Sequence, residues 1–505
     1  MKLFLRRNAP LFYTQGAMLA LYIPWLNRGY VNLEFPFVLA GRALAFNADV
    51  ELIGGYWGTI ANPLGYSIVL SFLFRVFGVH EFWLSRLPAV LGAALILASI
   101  WVLTREMWAA RRPYFLLSIL LLLNPMVFVF STTGTADILP VGLLLLSIAI
   151  AFHFRDRNFG WTFLSALIFG ISIVIKYNGL YFGLALVAAV LTANSNTIRS
   201  RTFFKVISLF IVPGIILGSY VLWSERRFDV FISSRLAFSA PNFFNVEAYL
   251  INISKYLSYL GLFCGPLPLF ALVVKHKRDF LPRVFWFCVV FLLYLILISP
   301  RQAGELDLGL GFPLSKFSGQ ILESIGFLNG IFLIYLLSGS LKSNLRLKLV
   351  FICGLAPYAI LAPFTYPSQR YLLFVLPFIL VISVDALQGW SIRLQQIAVG
   401  LTALVFAAVS LLGMSYLTSQ GDASEDMAVW VEENNLISQT SAGAIWSHAG
   451  QHFWGVKSTE IRYEVIAVSP ATESQVQERI LHREPMKVLG KVTRVYLLRE
   501  IPATP

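Results

Sequence analysis

Apolar stretches about as long as a bilayer is thick recur from one end of this chain to the other. About thirteen can be marked off, at roughly 9–26, 86–104, 113–131, 138–154, 161–176, 178–193, 205–223, 256–274, 284–300, 320–338, 348–364, 370–388 and 396–417. A helix needs about 20 apolar residues to cross roughly 30 Å of hydrocarbon. A backbone in that medium must satisfy its own hydrogen bonds, which leaves helices as the fold for runs of this kind. Charged residues make up only 13% of the chain, against about 25% in soluble domains. The fold class expected is a polytopic α-helical membrane protein with about 13 transmembrane helices.

The formal net charge is +13, but the position of the charges argues against nucleic acid as a partner. They sit in short loops between apolar runs, and no basic patch with interleaved aromatics and glycines appears. Lys2, Arg6 and Arg7 precede the first run; Arg105, Arg111 and Arg112, then Arg155 and Arg157, then Arg199, Arg201 and Lys205 continue an alternate series of loops. By the positive-inside rule this series is cytoplasmic. The N-terminus is then inside, an odd number of spans puts the C-terminus outside, and the expected location is the inner (plasma) membrane. The basic start MKLFLRRNAP lacks a convincing cleavage site after its apolar run and reads as an uncleaved first helix. Cys264, Cys288 and Cys353 all lie in apolar runs and read as small buried hydrophobes. No P-loop or G-x-G-x-x-G stretch points to ATP or a dinucleotide.

Charges outside the basic series are the informative ones. Asp137, Lys176 and Arg370 stand nearly alone at the ends of apolar runs, all on the outer side. An ionisable group at the membrane boundary is costly and marks a functional candidate; each also has the plainer reading of a helix cap or a snorkelling side chain. Residues 27–85 form a first outer loop too polar to span and too apolar to float free, and two helices along the membrane surface suit it. Domain boundaries are expected at 1–420 for the membrane unit and 421–505 for a small outer α/β domain. In the latter, Asp422-Ala-Ser-Glu425 has capping-box spacing and is expected to open a helix, and Ala444–Trp446, Ile461–Val468 and Arg494–Leu498 read as strands. His448 and His452 sit four apart, but Gly450 between them and the lack of a third ligand make a poor metal site.

In their order and sidedness these features resemble the GT-C fold integral-membrane glycosyltransferases, in particular the bacterial relatives of the protein O-mannosyltransferases and of the lipid A aminoarabinose transferase. Gly29-Tyr30 matches the start of that family's first outer loop, and Asn62-Pro63-Leu64 its proline-rich element. The run from Ser71 to Pro88, SFLFRVFGVHEFWLSRLP, matches its amphipathic helix and exit. Asp137 matches the acid opening the fourth span, Lys176 the lysine between the fifth and sixth, and Arg370-Tyr371 the pair entering a late span. One departure stands out. Where the family has an Asp-Glu pair, this chain has Asn27-Arg28, and neither can serve as a base near neutral pH. Glu34 is expected to take over the acidic role, because positions 27, 30, 31 and 34 share one face if this stretch is helical; loss of catalysis is the other reading.

The resemblance implies an enzyme that moves a hexosyl or pentosyl group from a polyprenyl-phosphate carrier to an acceptor lipid, glycan or protein at the outer face. Asp137 and Glu34 are then the catalytic carboxylates, one of them taking the proton of the acceptor. Lys176, Arg370 and Tyr371 would bind the donor phosphate, with Arg226, Arg227 and Arg301 in reserve. Asn27, Arg28, Tyr30, Glu305 and Asp307 are acceptor-side or loop candidates, and the glycine-rich loop 301–319 is a candidate lid. The polyprenyl tail would lie near Tyr366 to Leu376. No residue cluster demands a metal or other cofactor, although a divalent cation is compatible with the set. The competing classes are a lipid-linked sugar flippase or transporter, which more often shows paired broken helices in two repeats, and a non-catalytic lipid-sugar binding relative.

Overall fold

The computed structural model describes residues 2–31, 34–46, 63–77, 82–105, 108, 111–192, 199–228, 245–270, 289, 291–292, 316–339, 345–361, 369–436, 439–441, 462–476 and 478–501. Helices dominate. Along the chain come α1 (Lys2–Tyr22), α2 (Phe35–Phe46), α3 (Gly65–Phe77), α4 (Phe82–Arg105), α5 (Arg112–Leu123), α6 (Pro125–Ser131), α7 (Ile138–His153) and α8 (Phe159–Ile175). A 3-10 segment, Tyr177–Phe182, leads into α9 (Gly183–Leu191), α10 (Arg199–Phe228), α11 (Val246–Phe263), α12 (Lys316–Gly339) and α13 (Leu345–Leu361). A second 3-10 segment, Gln369–Phe374, leads into α14 (Leu376–Leu387) and α15 (Ile392–Glu433).

Each expected apolar segment overlaps a described helix except 284–300, most of which lies outside the described residues. Among the described residues three helices are long and apolar enough to cross a membrane: Phe82–Arg105, Thr202–Phe228 and Ile392–Glu433. A fourth follows if α5 and α6 count as one span; they are bent by 64°. The bend has a local cause. Pro125 has no N–H to continue the ladder, and Asn124 takes an extended ψ of 127° to cap α6 through its own Oδ1, which accepts from the Met126 N–H at 3.1 Å. The amide Nδ2 of Asn124 donates to the Phe263 carbonyl at 2.7 Å, tying the bend to the end of α11.

The first loop departs from expectation at its start. Residues 26–31 are not helical, so the shared helical face expected of positions 27 to 34 does not exist. Pro36 is the physical reason: it lacks an N–H and its ring clashes with the carbonyl four positions back, so it fits only the first turn of a helix, and α2 begins at Phe35. Farther on, α2 and α3 pack on each other. The Ser67 hydroxyl donates to the Phe37 carbonyl at 3.1 Å, and Arg75 donates to the last-turn carbonyls of Ala45 and Leu44 at 3.0 and 2.6 Å. Tyr66, Leu70 and Phe74 of α3 are buried, while Ile68, Phe72 and Val76 are exposed on the other side. An exposed apolar stripe on a short helix suits a surface-lying position in lipid.

At the other end of the chain, α15 does not stop where a new helix was expected to open. It continues through Gly421 and Asp422 to Glu433, so Asp422 is mid-helix rather than a cap. Beyond it lies a four-stranded sheet in the order β1-β2-β4-β3, with β1 (Thr440–Ser441), β2 (Tyr463–Val468), β3 (Ile480–Val488) and β4 (Lys491–Glu500). β1 runs parallel to β2 and the other pairs are antiparallel. β3, ILHREPMKV, was not anticipated, because its charges and Pro485 interrupt the apolar alternation. The strand expected at Ala444–Trp446 and the pair His448 and His452 lie outside the described residues. The sheet rests on α15 through Trp430, which stacks on His482 with ring centres 4.3 Å apart.

Candidate active site

Two buried ionic groups share one end of the helix bundle. The first is built around Glu34, which stands just ahead of α2 and is completely buried. Arg86, in the first turns of α4 and also completely buried, meets it with two hydrogen bonds, Nε to Oε1 at 2.7 Å and Nη2 to Oε2 at 2.8 Å. Arg28 Nη1 adds a third at 3.2 Å, and the backbone N–H groups of Val31 (3.1 Å) and Gly134 (2.6 Å) complete the set. The remaining Arg86 N–H groups donate to the carbonyls of Leu26, Arg28 and Gly29 at 2.6, 2.8 and 3.0 Å. One guanidinium thereby satisfies three carbonyls of an irregular buried segment, the kind of backbone that otherwise costs stability.

A carboxylate has about four lone-pair positions, and Glu34 receives five donors. Burial alone would push its pKa up; the charges of Arg28 and Arg86, with the bonds from Arg86 and Gly134, outweigh this and bring it down to about 2. The sequence expectation that Glu34 acts as a base does not fit this environment, because no lone pair is left to take a proton. Tyr30 is likewise packed away, edge-on to Phe82 at 4.7 Å with the Arg86 guanidinium 5.7 Å from its ring. Asn27 is exposed, and Glu305, Asp307 and Arg301 lie outside the described residues.

The C-terminal part of α15 touches the same loop. A Cβ on Gly421 would sit 2.6 Å from the Gly29 carbonyl oxygen, and one on Gly29 would sit 2.7 Å from the Gly421 carbonyl. Both positions need glycine for the backbones to meet. Asp422 and Glu425 follow on that helix, and their charges act on Arg28 and Arg86 respectively. They offset the excess positive charge of two arginines on one glutamate. Burial, then mutual repulsion among Asp422, Glu425 and Asp426, raises the pKa values of Asp422 and Glu425.

Asp137 and Lys176 form the second group. Asp137 occupies the N-cap position of α7 but makes no capping bond; its carboxylate instead accepts from Lys176 Nζ in a short ion pair. Relative exposure is 1% for Asp137 and 6% for Lys176, so the pair is buried rather than solvated. Lys176 closes α8 with an extended backbone, φ −156° and ψ 120°, which turns its side chain back toward α7 before the 3-10 segment begins. Its ammonium lies 5.2 Å from the ring centre of Tyr371, and the charge of Arg370 acts on Asp137 as well. Asp137, Lys176, Arg370 and Tyr371, four residues singled out in the sequence, are therefore brought together by three separate parts of the chain. Gly65, at the start of α3, packs so close that a Cβ there would be 2.4 Å from the Val174 carbonyl oxygen, which docks α3 beside Lys176.

The two groups are joined by the loop between α6 and α7. Gly134, whose N–H reaches Glu34, is three residues from Asp137, and the Thr132 carbonyl accepts from Arg28 Nη2 at 3.3 Å. Arg86 was missed as a site residue. Its signal was present in Arg86-Leu87-Pro88, a lone arginine inside an apolar run, but it was counted as the exit of a helix. Below Tyr371, an apolar cavity of about 160 Å³ opens between α11, α12, α13 and α14, lined by Tyr256, Leu260, Leu333, Tyr358, Leu372 and Val375 among others. No group of His, Cys, Asp and Glu that would hold a metal occurs among the described residues.

Two structures of ArnT from Cupriavidus metallidurans overlap this fold at 16% identity. The one bound to undecaprenyl phosphate covers 99% of both chains with a TM-score of 0.43. The other, in the apo state, covers 98% of both with a TM-score of 0.42. No curated protein sequence matches the chain. Residues 61–226 match the family model described as dolichyl-phosphate-mannose-protein mannosyltransferase. Arg86, Asp137 and Lys176 all fall inside that stretch, and over it the chain carries the pattern of the dolichyl-phosphate-mannose-protein mannosyltransferase family, in keeping with the GT-C resemblance drawn from the sequence.

Proposed function

We propose that this protein is a membrane glycosyltransferase that takes a sugar from a polyprenyl-phosphate carrier and passes it to an acceptor at the outer face of the membrane. The observation that carries the reading is the buried Asp137–Lys176 pair beside Arg370 and Tyr371, inside and next to the stretch that matches the family model. In the reaction, an acceptor oxygen or similar group attacks C1 of the sugar while the bond from C1 to the carrier phosphate breaks. The leaving phosphate takes the electron pair, and cations stabilise it as its charge develops. Lys176 and Arg370 supply those cations.

Without donor, Asp137 holds Lys176. A phosphate entering the site competes for that ammonium, which frees a carboxylate oxygen of Asp137 to accept the acceptor proton. General-base assistance of this kind contributes about 10²–10⁴-fold in rate. Because phosphate leaves unprotonated, one carboxylate is enough. Glu34, Arg28 and Arg86 are positioning residues: they hold the loop that runs from Thr132 to Asp137. The carrier tail runs into the apolar cavity at Leu372 and Val375. The membrane unit is residues 1–420, and residues 421–505 form the outer domain with the sheet. The expected orientation keeps the N-terminus in the cytoplasm.

The test is turnover of radiolabelled polyprenyl-phosphate sugars by the purified full chain in proteoliposomes. Release or transfer of label supports the enzyme. Donor binding without turnover across a broad donor panel moves the assignment to a non-catalytic binding protein, and movement of intact donor between leaflets moves it to a flippase.

A further inference from the structure

The last turns of α10 carry a charge pattern that the proposed reaction does not use. Ser219, Leu222, Trp223, Arg226 and Arg227 follow one another at helical spacing and line an open recess. All five are exposed. Among the described residues neither guanidinium has an ion pair or a hydrogen bond. Asp137 makes its ion pair with Lys176, and neither Arg226 nor Arg227 bonds to that carboxylate among the described residues.

The recess lies at the same end of the bundle as the Asp137–Lys176 pair. Tyr220, one residue after Ser219, accepts the Leu64 N–H at 2.7 Å just ahead of α3, and Phe228 is buried in the cluster that contains Tyr66 and Ile175. That is the end read as outer, where short loops are otherwise poor in Lys and Arg. Two adjacent arginines there run against the positive-inside bias and are not topology signals. Trp223 packs edge-on against Phe228 at 5.3 Å and near Tyr220 at 6.0 Å, an aromatic group of the type that sits at headgroup depth. At that depth the exposed Leu222 faces acyl chain while the arginine heads reach the lipid phosphates. A guanidinium binds a phosphate oxygen pair through parallel N–H donors, and two adjacent guanidiniums at the last turn of the helix match a phosphodiester; Ser219 lies two turns earlier, about 10 Å along the axis.

We propose that this recess is a binding site for the headgroup of an anionic phospholipid, held by Arg226 and Arg227 and stabilised by the apolar contact of Leu222 and Trp223. The site is independent of the donor chemistry, and its occupant anchors the end of α10 against the surface helix α3.

Native mass spectrometry of the full chain in detergent, titrated separately with phosphatidylglycerol and phosphatidylcholine, tests this. Two arginines near an anionic headgroup correspond to a preference of about thirtyfold. The wild-type chain is expected to prefer phosphatidylglycerol by that order, the double variant R226Q/R227Q to bind both lipids alike, and R226K/R227K to keep most of the preference. Arginines at a helix C-terminus also complement the helix dipole; that role moves stability in the Gln variant but not lipid preference. A preference that survives R226Q/R227Q, or none in the wild type, overturns the proposal. So does complete displacement of phosphatidylglycerol by millimolar inorganic phosphate, which would mark a free-anion site rather than a lipid site.

Discussion

Arg86 and Glu34 stand 52 positions apart in the chain and face each other as two parallel hydrogen bonds, both partners completely buried. This pair closes the first loop. It joins the start of α4 to the segment before α2, and through Gly134 it reaches the loop that ends at Asp137. The catalytic proposal depends on that loop being held, so the consequences of breaking the clamp are the first to consider.

Glu34→Gln leaves Arg28 and Arg86 buried with no anion between them. Breaking a buried ion pair by removing one partner costs about 3–5 kcal/mol. A clear fall in the melting temperature of the detergent-solubilised protein is expected. A variant that melts with the wild type would show that Glu34 does not hold the loop.

The same clamp predicts an acid response. The folded-state pKa of Glu34 is near 2, below its ordinary value of 4.5. Between those values the unfolded chain binds the extra proton, so stability rises with pH. The contribution of Glu34 is thus complete above about pH 4.5 and is lost as pH falls toward 2. Melting temperatures taken from pH 6 down to about pH 3 should fall more steeply for the wild type than for Glu34→Gln. Parallel curves would contradict the assignment.

Gly421→Ala tests the contact between α15 and the first loop. The new methyl carbon would meet the Gly29 carbonyl oxygen at 2.6 Å, and overpacking of this kind costs about 1–3 kcal/mol. Hydrogen exchange should speed up at residues 26–31, with α15 itself still protected. Unchanged exchange in that segment would mean that the loop does not depend on α15 for its position.

Much of the site could be read from residue type and context. Asp137, Lys176 and Arg370 drew attention because each is a charge beside a long apolar run, and the fold brings all three to one place. Glu34 stands out instead as a stand-in for the family's missing acidic pair on an expected helical face, and sequence shows its carboxylate but not the five donors that saturate it. Arg86 was overlooked because its partners are carbonyls and a carboxylate in a non-helical segment far away in sequence, and no periodicity marks such a segment. The helix boundary at Pro36 could have been drawn from the proline alone. Asp422 points the opposite way: its capping-box spacing with Glu425 looks like a helix start, whereas it lies inside a continuous helix whose Gly421 serves a close backbone contact.

Lys176→Met removes a cation assigned both to donor binding and to the leaving phosphate, so kcat falls along with affinity. Hydrogen bonds to charged groups contribute about 1.5–3 kcal/mol, so KM for a polyprenyl-phosphate sugar should rise by about ten- to a hundredfold. An unchanged KM would remove Lys176 from the phosphate site.

The most direct measurement is sugar transfer by the purified chain in proteoliposomes, with Asp137→Asn beside the wild type and the melting temperature of each recorded. The account predicts donor-dependent transfer by the wild type and a loss of about 10²–10⁴-fold in kcat for a folded Asp137→Asn protein. Transfer at the wild-type rate by that variant would contradict it.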